Sequence, residues 1–304
     1  MYYTGFADEA SQNIDLQIKA TKELGWKYIE SRNIDGQNIT DIPDDKFEEV
    51  CDKLNAAGIS VNCFGSAIAN WQKQPRLEED FQNSIAELKR AIPRMRRLGT
   101  KLLRGMSFAV PQDEPPDSPE LEKIIFAKVN HLVKMCEDAG ITYLHENCMN
   151  YGGMSYLHTL KLLDNVKSPA FKLLFDTGNP VFTRRRIGNP PYPTQSAWEF
   201  YDNVKEFVTY MHIKDCVVIE DKGEIRPPVR FTFAGEGSGD VRKIIGDLFK
   251  RGYDGGFSIE PHLAVVHHEQ DKPAPDEQIR YRNYVEYGRR FMQLVNDLKK
   301  CIIC

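Results

Sequence analysis

The sequence predicts a (β/α)8 barrel. Three observations lead there: a phrase that recurs along the chain, the number of β-rich runs, and the chemistry on which the later runs end. The phrase is amphipathic helix, glycine, β-rich run, and it reads "KELGWKYIE", "LNAAGISVNCF", "MRRLGTKLLRG", "CEDAGITYLHE" and "FKRGYDGGFSIE". Its glycines are Gly25, Gly58, Gly99, Gly140 and Gly252. Each stands where a helix needs a left-handed residue before the chain turns into a strand.

Taken in order, the chain opens on a short strand, "YYTGFA". The segments ahead of the glycines carry helical spacing: Phe47, Val50, Cys51 and Leu54 recur at i, i+3, i+4, i+7, as do Val241, Ile244, Ile245 and Leu248. Ser118 before Pro119 reads as a helix start, and Asp240 as another. Pro93 falls inside the third helical pattern and should kink or split it. Two runs without the glycine, "FKLLFD" and "VTYMHIKD", bring the strands to eight, with C-terminal ends near positions 8, 31, 64, 107, 147, 177, 214 and 260. Strands alternating with helices imply parallel βαβ units. Eight of them closing on themselves need about 250 residues, so the 304 residues suit one barrel domain over 1–304. A doubly wound open sheet would call for a glycine-rich phosphate loop after the first strand, and none is present.

The surplus length has two addresses. The loop "VFTRRRIGNPPYPTQ" follows the sixth strand, and "CVVIEDKGEIRPPVRFTFAGEGSGD" follows the seventh, reading as a hairpin around "EDKGE" and a tight glycine lead into the next helix. Both extend the C-terminal rim, where barrels build their sites. "GEGSGD" lacks the Gly-Lys-Ser/Thr of a P-loop.

Composition excludes several classes. A hydrophobic content of 41%, a charged content of 28% and a net charge of −4 fit a globular protein that does not bind nucleic acid generally. No apolar run reaches membrane-spanning length and "MYYTGFADEA" lacks a secretory signal, so no membrane contact and a cytoplasmic location are expected. Seven scattered cysteines are not a disulfide framework, and the terminal "CIIC" is a lone Cys-x-x-Cys without a second pair.

The last four strands end on ligands. "YLHENC" delivers Glu146, "LLFDTGN" Asp176, "YMHIKD" His212 and "FSIEPH" Glu260. Any one of them is more simply a solvated strand end; four at successive strand ends of one rim would surround one ion. Three carboxylates together repel unless a cation holds them. Three oxygens and one imidazole suit Mn²⁺ or Mg²⁺, with Co²⁺ or Zn²⁺ as alternatives, and Mn²⁺ is the favoured choice. Alternation along the strand turns Lys214 with His212 and His262 with Glu260. Lys214 would meet a substrate oxyanion or pair with Asp215; His262 would donate to the ligands or to substrate. Glu30 and Arg104 line the mouth or form a structural pair. Arg184 to Arg186 would meet a phosphate or acidic sugar, or form a solvated or subunit-contact surface.

With "LHENC", "FDTGNP", "HIKD", "GEG" and "SIEPH" in this order, the chain resembles the xylose-isomerase-like TIM barrels grouped as sugar phosphate isomerases and epimerases, from "GFADEA" to "IEPH". The resemblance implies one divalent metal held by Glu146, Asp176, His212 and Glu260, with the two glutamates moving substrate protons as in the ketose epimerases of the family. Those epimerases carry a histidine shortly after the strand-six aspartate; the stretch here is "DTGNP", with Asn179 as a candidate substrate contact. The related endonuclease-IV-like repair enzymes use three zinc ions and further histidines, which this chain lacks at the matching strand ends. The expected activity is proton transfer through an enediolate of a sugar or keto-sugar. Epimerisation and aldose–ketose isomerisation share that intermediate, and so does loss of a β-hydroxyl by a dehydratase. A non-catalytic sugar-binding barrel is the alternative from another class. The long rim loops are compatible with a homodimer or tetramer.

Overall fold

A computed structural model describes residues 1–111, 114–115, 117–264 and 276–303. The eight β-rich runs form one parallel sheet: β1 (Tyr2–Gly5), β2 (Tyr28–Ser31), β3 (Ser60–Phe64), β4 (Leu102–Gly105), β5 (Thr142–Glu146), β6 (Phe171–Asp176), β7 (Val208–Ile213) and β8 (Gly256–Ile259). Neighbours run β1-β8-β7-β6-β5-β4-β3-β2. A parallel bridge between Phe6 and Glu30 brings the two ends of that order together, which makes the sheet an α/β TIM barrel. Between the strands lie α1 (Ile14–Glu23), α2 (Asp44–Ala57), α3 (Glu78–Leu98), α4 (Pro119–Asp138), α5 (Tyr156–Asn165), α6 (Ala197–Val204) and α7 (Val241–Lys250), with α8 (Glu277–Ile303) closing the chain.

The repeated glycines do what their spacing implies. Gly25, Gly58, Gly99, Gly140 and Gly252 all have φ between 68° and 71°, the left-handed region that a β-branched residue enters only with strain. The helical stripes are buried as spaced: Phe47, Val50, Cys51 and Leu54 on α2, and Val241, Ile244, Ile245 and Leu248 on α7. Such stripes pack the helices against the outside of the sheet and leave the strand ends to the rim.

Two local expectations need correction. Pro93 lies inside α3 and does not split it: the helix is continuous from Glu78 to Leu98, its apolar stripe holding both halves against the barrel. Asp240 is the N-cap residue of α7, as expected, but its side chain makes no cap bond; its Oδ2 accepts instead from the Trp198 N–H at 3.2 Å, in the first turn of α6. Ser118 does cap α4, accepting from the Leu121 N–H.

The hairpin after β7 pairs Asp215–Val218 with Val229–Thr232. The glycine stretch behind it folds around Asp215, whose carboxylate accepts from the backbone N–H groups of Gly235, Gly237 and Gly239 at 2.8 to 2.9 Å. Asp215 is therefore committed to its own loop and leaves Lys214 to turn inward. Of the cysteines, 51, 63, 136, 148 and 216 are buried and unbridged. Cys301 is exposed on α8, and Cys304 of the "CIIC" pair lies outside the described residues. No helix among the described residues is long and apolar enough to cross a membrane.

Candidate metal centre and active site

Four side chains from β5, β6, β7 and the end of β8 converge. Glu146, Asp176, His212 and Glu260 each offer one ligand atom, all within 4.8 Å of one another, and all four residues are buried. His212 Nδ1 lies 3.7 Å from Glu146 Oε1, 3.9 Å from Asp176 Oδ2 and 3.5 Å from Glu260 Oε2. Register explains the convergence: Asp176 pairs across the sheet with His212, and His212 with Ser258, so Glu260 sits two residues further along its strand line. The Glu260 N–H continues the ladder by donating to the Ile213 carbonyl.

These residues fit a divalent cation. His212 Nδ1 is buried with no hydrogen-bond partner, although three carboxylates face it. Its Nε2 lies 3.0 Å from Glu30 Oε2, the arrangement in which an outer carboxylate orients an imidazole whose other nitrogen is turned to a metal. Ligand atoms about 2 Å from a shared ion stand apart by distances like those seen here. Asp176 shows the same preparation. Its Oδ1 accepts from the Gly178 and Asn179 N–H groups, both at 2.8 Å, which fixes the carboxylate and turns Oδ2 into the cluster.

Charge points the same way. Glu30, Glu146, Asp176 and Glu260 are buried around the site, and the lysine and arginine groups within ion-pair distance of them are Arg104, Lys214 and Arg32 among the described residues, beside the imidazole of His212. A divalent ion would offset much of that acidic surplus. The strain appears in the proton affinities. Burial, reinforced by Glu260 and Glu146 and only partly countered by Lys214, pushes the Asp176 carboxyl upward. For Glu146, burial is outweighed by Arg104 and then His212, which hold it below the usual carboxylate range. For Glu260 burial is outweighed by Lys214 and His262. Burial would drive the His212 imidazole down, but Glu30 and its other carboxylate neighbours raise it well above its ordinary value. Burial depresses His262 to about 3.

The structure gathers Lys214, Arg104, Asn179 and His262 around the four candidate ligands, with Glu30 behind His212, whereas Arg184 and Arg185 pair instead with Asp221 and Glu199. Lys214 Nζ lies 3.0 Å from Asp176 Oδ2 and 2.9 Å from Glu260 Oε2. Arg104 Nε is 2.8 Å from Glu146 Oε2, Asn179 Nδ2 donates to Glu146 Oε1 at 3.1 Å, and His262 Nε2 is 3.4 Å from Glu260 Oε1. Gly178 makes room for Lys214: a Cβ there would stand 2.7 Å from the Lys214 Cγ. The expected alternative of a Glu30–Arg104 pair is not formed, since Glu30 is taken by His212 and Tyr210 and Arg104 by Glu146.

Four features were missed in the sequence. Arg32 reaches Glu260 Oε1 at 3.1 Å while its Nε donates to Asp8 at 2.8 Å. Its i+2 relation to Glu30 on β2 was the available signal. Glu9 supports His262, accepting from its backbone N–H at 2.7 Å. Asn147 clamps the Asp176 backbone, Oδ1 accepting from its N–H at 2.6 Å and Nδ2 donating to its carbonyl at 3.0 Å. Phe6 floors the site, with the Arg32 guanidinium 4.0 Å from its ring centre and the His212 ring edge-on at 4.9 Å.

This fold and rim define a class of barrel, and the comparisons agree. The chain matches the xylose isomerase-like TIM barrel family over residues 18–284 and belongs to it. No curated protein matches the sequence. Among solved structures, a D-tagatose 3-epimerase-like protein superposes with a TM-score of 0.71 at 14% identity, covering 99% of this chain and 100% of that one. A xylose isomerase-like TIM barrel protein from Mycobacterium smegmatis in complex with magnesium gives 0.64 at 18% identity, covering 92% and 88%. The apo form of 3-keto-D-glucoside 4-epimerase from E. coli gives 0.63 at 16% identity, covering 95% and 99%. At these identities the likeness is one of fold.

Proposed function

We propose that the protein is a metal-dependent isomerase or epimerase of a sugar or keto-sugar, acting by proton transfer through an enediolate. The observation that carries this reading is the buried Glu146–Asp176–His212–Glu260 cluster with an unpartnered His212 Nδ1 at its centre. These four residues would hold the ion, Mn²⁺ by the oxygen-rich donor set, with Mg²⁺, Co²⁺ or Zn²⁺ as alternatives. When bound, such an ion supplies Lewis-acid stabilisation of negative charge on adjacent substrate oxygens.

The side chains do the rest. Glu146 and Glu260 stand at β5 and at the end of β8, with Asp176 and His212 between them, so they approach a sugar from different sides. Arg104 beside Glu146 and Lys214 beside Glu260 favour the ionised carboxylates, and one accepts the proton next to the carbonyl while the other returns one. Arg104 also sets the timing: while it pairs with Glu146 the carboxylate is a weak base, and its movement onto a substrate oxygen would raise that basicity as substrate arrives. Lys214 faces Asp176 and Glu260 and, with Asn179 and His262, would position substrate oxygens. Return of the proton to the opposite face gives an epimer, and return to the neighbouring carbon gives the aldose–ketose isomer.

The test is solvent deuterium. Keto- and aldo-sugars turned over with Mn²⁺ in D₂O should acquire deuterium beside the carbonyl. Glu146→Gln and Glu260→Gln should each lower turnover about 10²- to 10⁴-fold, the usual contribution of a general acid or base. Wild-type rates in both variants, with no deuterium incorporated by the parent protein, would overturn the mechanism.

A further inference from the structure

A cavity of about 170 Å³ opens on the rim and is lined by Trp71, Gln74, Thr183, Arg184, Arg186 and Arg226 among others. No acidic side chain is among its described lining residues. Arg184 is matched by Asp221, with Nη1 2.9 Å from Oδ2. Arg186 makes no ion pair within 4.0 Å of a described carboxylate, Asp117 acting on it only from further away. It is only 2% exposed, and the groups it touches are neutral: the carbonyls of Pro111 and Glu114 at 3.2 and 3.1 Å, the Met154 sulfur at 3.6 Å and the Tyr192 side chain, whose ring lies 5.6 Å away. Both carbonyls are served by one nitrogen, Nη2, and Nε is buried with no hydrogen-bond partner. A buried guanidinium normally has an anion. A purely structural tether for the Pro111 and Glu114 carbonyls would need neither Arg226 nor the open volume.

The cavity is coupled to the carboxylate cluster. Thr183, in its wall, donates through Oγ1 to the Asn179 carbonyl at 2.9 Å, and Asn179 Nδ2 donates to Glu146. Thr183 and Met149, both lining residues, lie on the segments that leave β6 and β5. A ligand with its reacting carbons at the cluster would have to extend its far end along these segments to reach the cavity. Resting on the sugar-transforming reading above, we infer that the substrate is an anionic sugar whose carboxylate or phosphate is received by Arg184, Arg186 and Arg226. The arginines give that end of the substrate its charge selectivity, while the carboxylate cluster acts on the other.

The experiment measures dissociation constants by titration calorimetry on the metal-loaded protein for D-glucuronate, D-glucose, D-fructose 6-phosphate and D-fructose. At least one anionic sugar should bind about ten- to a hundredfold more tightly than its neutral counterpart, the range for a charge-assisted contact. The glucuronate and phosphate arms distinguish the two anions. Arg186→Gln and Arg226→Gln should each abolish that preference. Arg226 is exposed, so its variant tests the pocket even where loss of the buried Arg186 unfolds the chain. Equal binding of charged and neutral sugars, or a preference that survives in Arg226→Gln and in folded Arg186→Gln, would overturn the inference. Solvent exchange on neutral sugars at the rate of charged ones would keep the proton-transfer reading and remove the anion pocket. Arginine-dependent anion binding with no exchange on any sugar would keep the pocket and overturn the proton-transfer reading.

Discussion

Asp215 offers a direct perturbation of the loop that shapes the rim. Its carboxylate accepts from the N–H groups of Gly235, Gly237 and Gly239 and from that of Cys216 at 3.0 Å. Asp215→Ala would leave all four donors without their acceptor. Gly235 and Gly237 are only half-buried and can turn to water, whereas Gly239 and Cys216 are buried. Two stranded donors, each formerly bonded to a charge, set a loss of about 3–6 kcal/mol. Burial pushes the Asp215 pKa up despite these bonds, so removing the charge returns part of that loss. A net destabilisation of about 3 kcal/mol follows. With an unfolding entropy of about 2.1 cal/mol/K per residue, the melting temperature should fall by about 5 °C. Thermal and guanidinium denaturation measure the global effect, and hydrogen exchange at the Gly239 amide measures the local one. Asp215→Asn, which keeps one acceptor oxygen, should lose less. A change below about 1 kcal/mol with the Gly239 amide still protected would refute the assignment of this loop to its central carboxylate.

Two further outcomes are expected. Gly58→Val and Gly140→Val should each destabilise the barrel by about 1–3 kcal/mol in denaturant titrations, because φ is 68° and 70° at these helix ends; unchanged midpoints would show that the left-handed turns are not required. His158 is buried, with Nδ1 2.6 Å from Ser155 Oγ, and burial, assisted by Lys161, lowers it from 6.5 to about 4. The unfolded chain therefore takes up this proton first as pH falls. The associated stability is intact above about pH 6.5, declines by about 1.4 kcal/mol per pH unit toward pH 4 and then levels. His158→Gln should flatten the parent's pH–stability curve across that window, and parallel curves would contradict the assignment.

How much could be read beforehand followed from the range of the interaction involved. The glycines at helix ends, the stripes on α2 and α7 and the strand ends at Glu146, Asp176 and His212 depend on neighbours within a few residues, and periodicity exposes them. The bonding of Asp240 to Trp198 depends on two helices meeting, so a capping rule based on adjacent residues placed Asp240 at the start of α7 but missed the partner of its side chain. Arg32 offered only its i+2 relation to Glu30, and Asp8 and Glu9 carry no recognisable spacing relative to Glu260. Only closure of the barrel between β1, β2 and β8 brings them together. Asn147 was hidden for a simpler reason: it clamps backbone, and an asparagine beside a glutamate has no pattern of its own. The choice between Asp215 and the cluster as the partner of Lys214 required the glycine loop to be folded, since that loop consumes Asp215.

The central claim is that one divalent ion is held by four named side chains. The measurement that tests it most directly is elemental analysis of the purified protein, after equilibration with Mn²⁺ and removal of excess metal, beside Asp176→Ala, His212→Ala and the double variant. Circular dichroism on the same samples establishes that each variant is folded. The account predicts about one ion per chain in the parent, released by a chelator, with a large loss in each single variant and essentially none retained in the folded double variant. A parent that holds no divalent ion under these conditions, or a folded double variant that holds a full equivalent, would contradict it.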